Sequence, residues 1–405
     1  MREKCTMRIN VSAVSIEENR IDSFRRGNTL INTFRVQEEG ILGIHFQQGE
    51  ISDEEGYARA RQNLALNRPY PFTLETGVRS RDMTERVLTN RQLMEYTEEA
   101  LEYVHSEFPE FTLNGGFAQS ILCFGQENDR GLDYSSRDCT TEFRLSFKHK
   151  ESRELNDGWF SIGQRDFDMQ KFRAMADNYL TAFGLSRDFP KEILVQMRYY
   201  DLLSLLAGSL NAESICLGTS LLSGRLGEKL FAEHFSLAHD VSDAECWNTP
   251  FFDGEGVVQK GDRLLYIENG VVLRGYADKR IARKYGVEHT GSACSACADL
   301  PYNGNVNLRI KCSDKTVREL LNGSLSVVPI RYGGGGFNEK GEWVMPVQLG
   351  YLCDGERLLG RLPEFTLVSN LFDMFGEDFI GVGCDNPVFH DKSILVRMRL
   401  GKSRG

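Results

Sequence analysis

Two histidines near the middle of the chain are the first residues whose type and spacing suggest chemistry. His234 and His239 lie five positions apart in AEHFSLAHD, and imidazole nitrogens are common zinc ligands. Same-face neighbours on a helix are three or four residues apart, so a separation of five turns the two rings away from each other. No third ligand is indicated. A metal site on these histidines is therefore the weaker alternative, and a surface or partly buried pair is the favoured interpretation.

Two cysteines form a second candidate site. Cys294 and Cys297 make the only CxxC of the chain, whereas a zinc ribbon needs two such pairs or a pair of histidines. A redox dithiol would lie at the start of a helix in a thioredoxin-like unit, which the following CADLPYNGN does not resemble. We therefore predict two loop cysteines.

A run of four glycines is the third candidate. Gly333, Gly334, Gly335 and Gly336 are followed by Phe337 and an asparagine, whereas a phosphate-binding P-loop ends in Gly-Lys-Ser/Thr. The missing side chains predict a tight loop that another backbone can approach closely. Ser, His and Asp also occur, but no GxSxG motif does, so nothing specific supports a serine hydrolase.

Composition limits the kind of protein further. The formal charge of -10 over 405 residues argues against a general nucleic-acid binder, because phosphate contacts need a concentrated basic face. No apolar run approaches the length of a membrane span, and the first residues lack the apolar centre of a signal peptide. The ten cysteines are scattered without a compact pattern. We expect a cytoplasmic protein with reduced thiols and no membrane or nucleic-acid partner.

The first half of the chain predicts a layered α+β domain over residues 1–185. Alternating apolar residues predict strands in RINVSAV, ILGIHF, FAQSILCFG and TEFRLSFKHK. Helical spacing and capping residues predict helices after Ser52, over 89–107 and from Asp168. Strands and helices in this order predict one sheet with helices on one face.

The second half, residues 186–405, predicts a mostly antiparallel, β-rich domain. The division falls in GLSRDFP, and the next segment reads as a buried helix followed by a loop of small residues. From Pro250 to Gly291 the pattern predicts a meander of short strands leading into a basic helix, with a type I′ turn at Asn269-Gly270. A further helix is predicted over 314–322, introduced by Ser313.

The order of several motifs in this half resembles one known family. FDGEGV, IENGVVLRGY, the glycine run YGGGGFNEKGEW, and FTLVSNLFDMF followed by IGVG occur in the order found in the PmbA/TldD family. That family comprises zinc-dependent proteases and inactivated relatives, once labelled modulators of DNA gyrase. The resemblance implies a PmbA/TldD-like C-terminal domain and a glycine run close to a peptide cleft, so Gly333 to Phe337 are candidate substrate-binding residues.

The same resemblance indicates where the zinc ligands of catalytic members would lie. Those members carry HExxxH on a helix before SGRLGE, and the matching positions here hold Leu203, Ser204 and Gly208 at the ligand and base positions. None of these side chains ligates zinc. Cys384 matches a region thought to supply a third zinc ligand, and without the histidines we expect it to be an inert thiol.

Two kinds of function follow from this comparison. The resemblance implies a TldE-type subunit without catalytic residues or a cofactor of its own. Its TldD-like paralogue would hold the zinc, and the pair would cleave unfolded peptides. The alternatives are a self-associating protein that binds peptides or a small ligand without cleaving them, and a peptidase with a relocated metal site.

Overall fold

The computed structural model describes residues 1–71, 73–242, 246–294, 300–304 and 307–401. In its described residues, the first half contains seven strands and three α-helices. These are β1 (Arg2–Glu17), β2 (Arg20–Glu38), β3 (Ile41–Gln48), α1 (Asp53–Gln62), β4 (Gly77–Asp82), α2 (Asn90–Glu107), β5 (Phe111–Asn128), β6 (Leu132–His149), β7 (Gly158–Gln164) and α3 (Met169–Phe183).

These strands form one sheet, in the order β3-β2-β1-β5-β6-β4, with β7 also paired to β6. Val14 lies opposite Phe117, and Phe117 opposite Phe143, so the three side chains form one row. This row is buried against α2 and α3. Phe34, opposite Lys4, lies on the same face because Lys4 and Val14 are an even number of residues apart. Phe34 packs against α1. All three helices therefore lie on one face, as predicted.

Local capping explains where the helices begin. The hydroxyl of Thr89 accepts a hydrogen bond from the backbone of Gln92, whose side chain returns to Thr89, which makes a complete capping box. Ser52 and Asp168 cap α1 and α3 with single side-chain bonds. These three starts confirm the predicted helices.

The second half contains fifteen further strands and five helices in its described residues. These are β8 (Leu194–Arg198), α4 (Tyr199–Ser209), α5 (Ala212–Cys216), β9 (Leu237–Asp240), β10 (Arg263–Glu268), β11 (Val271–Val272), α6 (Lys279–Tyr285), β12 (Ala293–Cys294), β13 (Tyr302–Asn303), β14 (Leu308–Ile310), α7 (Val317–Leu321), β15 (Ser326–Tyr332), β16 (Gly336–Phe337), β17 (Glu342–Cys353), β18 (Leu358–Arg361), β19 (Phe365–Asn370), α8 (Leu371–Phe375), β20 (Phe379–Val382), β21 (Ser393–Arg397) and β22 (Arg399–Leu400).

The main sheet of this half runs β20-β21-β8-β15-β17-β19-β22, with β16 and β18 paired to β17. Only β8 and β15 pair in parallel there, so the sheet is mostly antiparallel and agrees with the predicted α+β class. Val327 points into a core shared with α4, whereas Val328 points into the core under the first sheet. Because this sheet is covered on both faces, β15 reads as a continuous apolar run.

The predicted meander is correct only in its second part. The Asn269-Gly270 turn has φ angles of 49° and 80° and joins β10 to β11, as the dipeptide predicts. By contrast, residues 250–259 contain no strand. Their apolar residues alternate with turns, but the amides of Glu255 and Val257 bond to the Asp253 carboxylate inside the loop and are not available to a neighbouring strand.

The helix predicted over 314–322 is shorter than expected. It runs over Val317–Leu321 and is capped by Thr316, which forms a capping box with Glu319. The hydroxyl of Ser313 instead bonds to the backbone of Lys315, so it does not cap the helix. Sequence spacing alone did not distinguish these two hydroxyl residues.

The two halves share a core. The Tyr179 hydroxyl on α3 donates to the carbonyl of Val388 at 3.0 Å, and the Tyr351 hydroxyl on β17 donates to the carbonyl of Tyr179. The division at 185/186 stays a prediction, because these contacts cross it. Among the described residues, no helix is long and apolar enough to cross a membrane.

The motif FDGEGV folds into a buried loop against the outer face of the first sheet. The Asp253 carboxylate accepts backbone hydrogen bonds from Glu255, Val257 and Ala293, each at 2.9 Å. The carbonyl of Gly254 accepts a bond of 2.6 Å from Arg35 of β2. Both carboxylates of the motif, Asp253 and Glu255, are buried, so this loop holds acidic groups away from water.

Glu255 is held from both halves of the chain. One carboxylate oxygen accepts from the Tyr70 hydroxyl, and the other accepts from the backbone of Lys279 at 3.1 Å. Burial and the neighbouring Asp253 raise the pKa of Glu255 to about 7. Burial also raises the pKa of Asp253 to about 6, although its three backbone donors oppose that shift. The ionised pair is therefore costly in the folded state.

Replacing Glu255 by Gln should flatten the pH dependence of stability. Because the pKa of Glu255 is higher in the folded state, its contribution is present at low pH and is lost as pH rises towards about 7. Urea unfolding measures the free energy of unfolding. Between pH 4.5 and 7.5 this free energy should fall on the order of 2–3 kcal/mol more in the natural chain than in Glu255→Gln. The exposed control Glu268→Gln should follow the natural profile. Parallel profiles for the natural chain and Glu255→Gln would contradict the buried titration.

Candidate functional site

The helix α4 carries the residues that match the HExxxH positions. Leu203 is 4% exposed and belongs to the larger core, together with Leu202 and Leu206. Ser204 and Gly208 are exposed, and a side chain at Gly208 would meet no atom within 4 Å. Positions 203 and 208 therefore point to different sides of the helix, one into the core and one outwards.

These residues do not fit a zinc ion. Leu203 and Gly208 offer no donor atom, and Ser204 is a neutral hydroxyl rather than a carboxylate. Within the described ranges, no group of three or more His, Cys, Asp or Glu side chains is arranged to hold a metal ion. We derive no reaction step through zinc in this chain.

Charged and aromatic side chains surround the beginning of α4. Arg198 forms a two-pronged ion pair with Asp201 at 3.1 and 3.2 Å, and its guanidinium lies 4.9 Å from the ring centre of Trp159 on β7. Arg198 also interacts with the hydroxyl of Tyr332 at the end of β15. This contact places the residue just before the glycine run beside the first turn of α4.

A second arginine completes this cluster. Arg309 on β14 donates to the Tyr199 hydroxyl, and its guanidinium lies 5.2 Å from the ring centre of Tyr200. Burial alone would raise the pKa of the Asp391 carboxyl, but His390, Arg198 and Arg309 together hold it below its usual range. Two arginines, Arg198 and Arg309, and two carboxylates, Asp201 and Asp391, thus lie close together at the beginning of α4.

The structure also brings together a serine, a histidine and an aspartate that the sequence analysis missed. His390 contacts the Ser161 hydroxyl through Nδ1 at 2.9 Å and the Asp391 carboxylate through Nε2 at 3.1 Å. Ser161 is only 6% exposed and lies within β7. The chain of bonds therefore ties the first sheet to the C-terminal segment and does not present a serine nucleophile to solvent. Ser161 and His390 are separated by 229 positions in the sequence, so no local pattern could have revealed this contact.

Cys384 lines a cavity with a volume of about 940 Å³. The cavity lies between α3, β7 and the segment around residues 384–392, and His390 and Trp247 also line it. Cys384 is exposed, and its carbonyl accepts a bond of 2.6 Å from Lys392. None of the residues at the HExxxH positions lines this cavity.

The glycine run forms an exposed turn that leads into the short strand β16. Gly334, Gly335 and Gly336 have φ angles of 68°, 87° and 131°, which side-chain-bearing residues rarely adopt. A side chain at Gly335 would also collide with the carbonyl of Val344 on β17. Phe337 pairs with Trp343, and β16 has no second strand neighbour among the described residues. The backbone that approaches the glycine run closely, as the missing side chains predict, is therefore that of β17.

The two histidines are placed separately. The ring of His234 stacks on Phe379 with ring centres 5.0 Å apart, and its Nε2 donates to the Phe379 carbonyl at 3.1 Å. His239 lies on β9, where its Nδ1 accepts from the backbone of Asn307 at 3.1 Å. Burial lowers the pKa of His239. Each imidazole therefore has its own backbone partner.

The CxxC pair is described only in part. Cys294 lies on β12, opposite Tyr302 of β13. Cys297 lies outside the described residues. The prediction of a loop cysteine is therefore wrong for Cys294, because this residue pairs in a short strand, and it stays a prediction for Cys297.

Comparison with known proteins decides the family. A sequence model of the PmbA/TldA metallopeptidase C-terminal domain matches residues 193–399, about half of the chain. The chain belongs to this family. The matched range contains α4, the arginines Arg198 and Arg309 of the polar cluster at its start, and the glycine run. The resemblance inferred from the motifs is therefore confirmed.

The similar structures extend over the whole chain. TldE from Thermococcus kodakarensis superposes with a TM-score of 0.80 at 16% identity, covering 98% of this chain and 96% of its own. A putative modulator of DNA gyrase from Thermotoga maritima superposes with a TM-score of 0.78 at 20% identity, covering 98% of this chain and 95% of its own. This PmbA/TldA-family chain therefore has a TldE-like fold.

A similar sequence covers less of the chain. A metalloprotease of Methanothermobacter thermautotrophicus is 28% identical over 43% of this chain and 38% of its own length.

Substitutions on α4 should test whether one side of this helix lies in the core and the other is exposed. Leu203→His removes a core side chain and buries a polar ring, which should lower the free energy of unfolding by about 2–5 kcal/mol. Ser204→His places the same ring on the exposed side and should change it by less than about 0.5 kcal/mol. Urea unfolding followed by circular dichroism measures both. Equal stability of the two variants would show that position 203 is not in the core.

Proposed function

We propose that the chain is a TldE-like, non-catalytic subunit of a cytoplasmic TldD/TldE-type metalloprotease complex that degrades or processes unfolded peptides. The observation that carries this proposal is α4, where Leu203, Ser204 and Gly208 stand at the HExxxH positions of catalytic members. A zinc ion would then be supplied by a TldD-like paralogue that retains the motif. This chain would contribute structure and binding surface.

The folded state of such a subunit does not require metal. Leu203 and its neighbours hold α4 by apolar packing against the larger core, with Leu202 and Leu206 fully buried. Packing of this kind contributes roughly 1.5–3 kcal/mol for each buried leucine. A helix held in this way keeps its place when the chelating residues are absent.

Peptide handling is supported by the free edge beside the glycine run. Gly336 and Phe337 form β16, which pairs on one side with β17 and leaves its other edge without a strand partner among the described residues. An extended peptide can add to such an edge through main-chain hydrogen bonds with little demand on its sequence. Tyr332 connects this edge to the charged cluster at α4, so a bound peptide would lie beside polar side chains.

Co-expression with the HExxxH-bearing paralogue of the same organism tests the proposal. The two chains should purify as a stable heteromer that contains zinc and cleaves an unfolded peptide, while this chain alone should show neither zinc nor cleavage. The matched control is the same pair with the glutamate of the paralogue's HExxxH replaced by Gln. That control should assemble equally well but lose cleavage, because the glutamate polarises the attacking water.

Two other outcomes would replace the proposal. A homo-oligomer that ignores the paralogue but still binds peptides would identify a self-associating binding protein. Stoichiometric zinc in the chain purified alone, lost in His234→Ala or His239→Ala, would identify a relocated metal site.

A further inference from the structure

A second cavity, with a volume of about 630 Å³, lies where the two halves of the chain meet. This volume lies within the range of small-ligand pockets. Its walls come from both halves and contain three arginines, Arg187, Arg331 and Arg361. Arginine is the side chain best suited to planar, two-pronged recognition of carboxylate or phosphate groups.

Arg361 at the end of β18 forms no ion pair within the described part of the chain. Its guanidinium stacks on Phe183, with 4.1 Å between the guanidinium carbon and the ring centre. Its Nε is buried and has no hydrogen-bond partner among the described residues. A buried donor without an acceptor costs free energy, and an oxygen ligand in the cavity would remove that cost.

Backbone hydrogen bonds join the segment of a second lining arginine, Arg187, to Arg361. The amide of Arg187 donates to the carbonyl of Arg361 at 2.8 Å, and the amide of Arg361 donates to the carbonyl of Leu185 at 2.7 Å. Gly360, with φ at 150°, permits this approach, since a side chain there would lie 2.9 Å from the Leu185 carbonyl. Within the described residues the Arg187 guanidinium donates only to the carbonyl of Ser186.

Four carboxylates line the cavity together with the three arginines. Asp157 already accepts from the backbone of His149 at 2.7 Å and from the Ser152 hydroxyl at 2.6 Å. Glu154 pairs with Arg331 at 3.3 Å. The remaining two, Asp188 and Glu364, are exposed, and neither forms an ion pair in the described part of the chain. The lining thus holds one more acidic than basic group. Within the described residues the guanidinium groups of Arg361 and Arg187 form no ion pair with these carboxylates, so their donors can face an oxygen ligand.

The cavity lies next to the glycine run. Gln348 lines it, and a side chain built at Gly333 would meet the Gln348 amide at 2.8 Å. Arg331 lies two residues before Gly333 on β15. A peptide added to the edge of β16 could thus place one end close to the guanidinium groups.

We propose that this cavity is an oxyanion site that holds the C-terminal carboxylate of an extended peptide. The assignment to a peptide rests on the proposed function, whereas the oxyanion chemistry rests on Arg361 and Arg187. The same chemistry would also accept free inorganic phosphate, so the test must separate these two sources.

The test measures binding by titration calorimetry on the full chain in a buffer without phosphate. The probes are one unstructured peptide with a free C-terminus, the same peptide with an amidated C-terminus, and inorganic phosphate. The free acid should bind about tenfold or more tightly than the amide, since charged hydrogen bonds are the strong ones. Phosphate should compete with the free acid but not with the amide.

Variants assign the effect to Arg361. Arg361→Met keeps an apolar contact with Phe183 and should abolish the preference for the free acid. Arg361→Lys keeps the charge but not the planar fork and should retain part of it. Arg357→Met removes an exposed guanidinium four residues earlier and should leave the preference unchanged. Circular dichroism verifies that every variant is folded.

Several results would overturn the inference. Equal affinity for the free acid and the amide, an unchanged preference in Arg361→Met, or binding of phosphate without binding of the free acid would each do so. The outcome is separable from the proposed function, because it uses the chain alone. If the heteromer cleaves peptides but the chain alone shows no preference for the free acid, only the oxyanion site is refuted. If the chain prefers the free acid but forms no active heteromer, only the proposed complex is refuted.

Discussion

Two buried carboxylates in one loop constrain the arrangement of the whole chain. Asp253 and Glu255 are buried against the outer face of the first sheet, where an ionised group is tolerated only if donors surround it. The donors come from both halves, with Tyr70 on one side and backbone amides of the second half on the other. Beside them, the fully buried pair Arg35–Glu3 binds the same loop through the Gly254 carbonyl. Removing one partner would leave a buried charge unpaired, so the loop fixes how the halves meet.

The second sheet, which is packed on both faces, fixes the position of the candidate site. Alternate residues of β15 enter two different cores, one shared with α4 and one with the first sheet. The strand therefore cannot shift by one residue without exchanging its two faces. Its last residues, Arg331 and Tyr332, lead to the two neighbouring features of the site, the oxyanion cavity and the charged cluster at α4. Rigid packing thus determines where the glycine run begins.

The sequence predicted local features well where a short pattern has one stable structure. The Thr89 capping box and the Asn269-Gly270 turn depend on residues within a few positions of one another, and both occur as expected. The pattern was misleading at residues 250–259, where turn residues and apolar residues alternate but the Asp253 carboxylate takes the amides that a strand would offer. It was also misleading at α7, because Ser313 and Thr316 are equally good caps and only the fold selects one.

The sequence alone shows that a leucine, a serine and a glycine stand at positions 203, 204 and 208, and none of these side chains is a usual zinc ligand. It also determined most helices and turns, whose signals are local. Only the tertiary structure decided that Leu203 enters the core, that Ser161 meets His390, and that the Arg361 guanidinium lies unpaired beside a cavity. The physical reason is that burial and pairing depend on contacts between distant residues, and such contacts leave no pattern in the sequence around either partner.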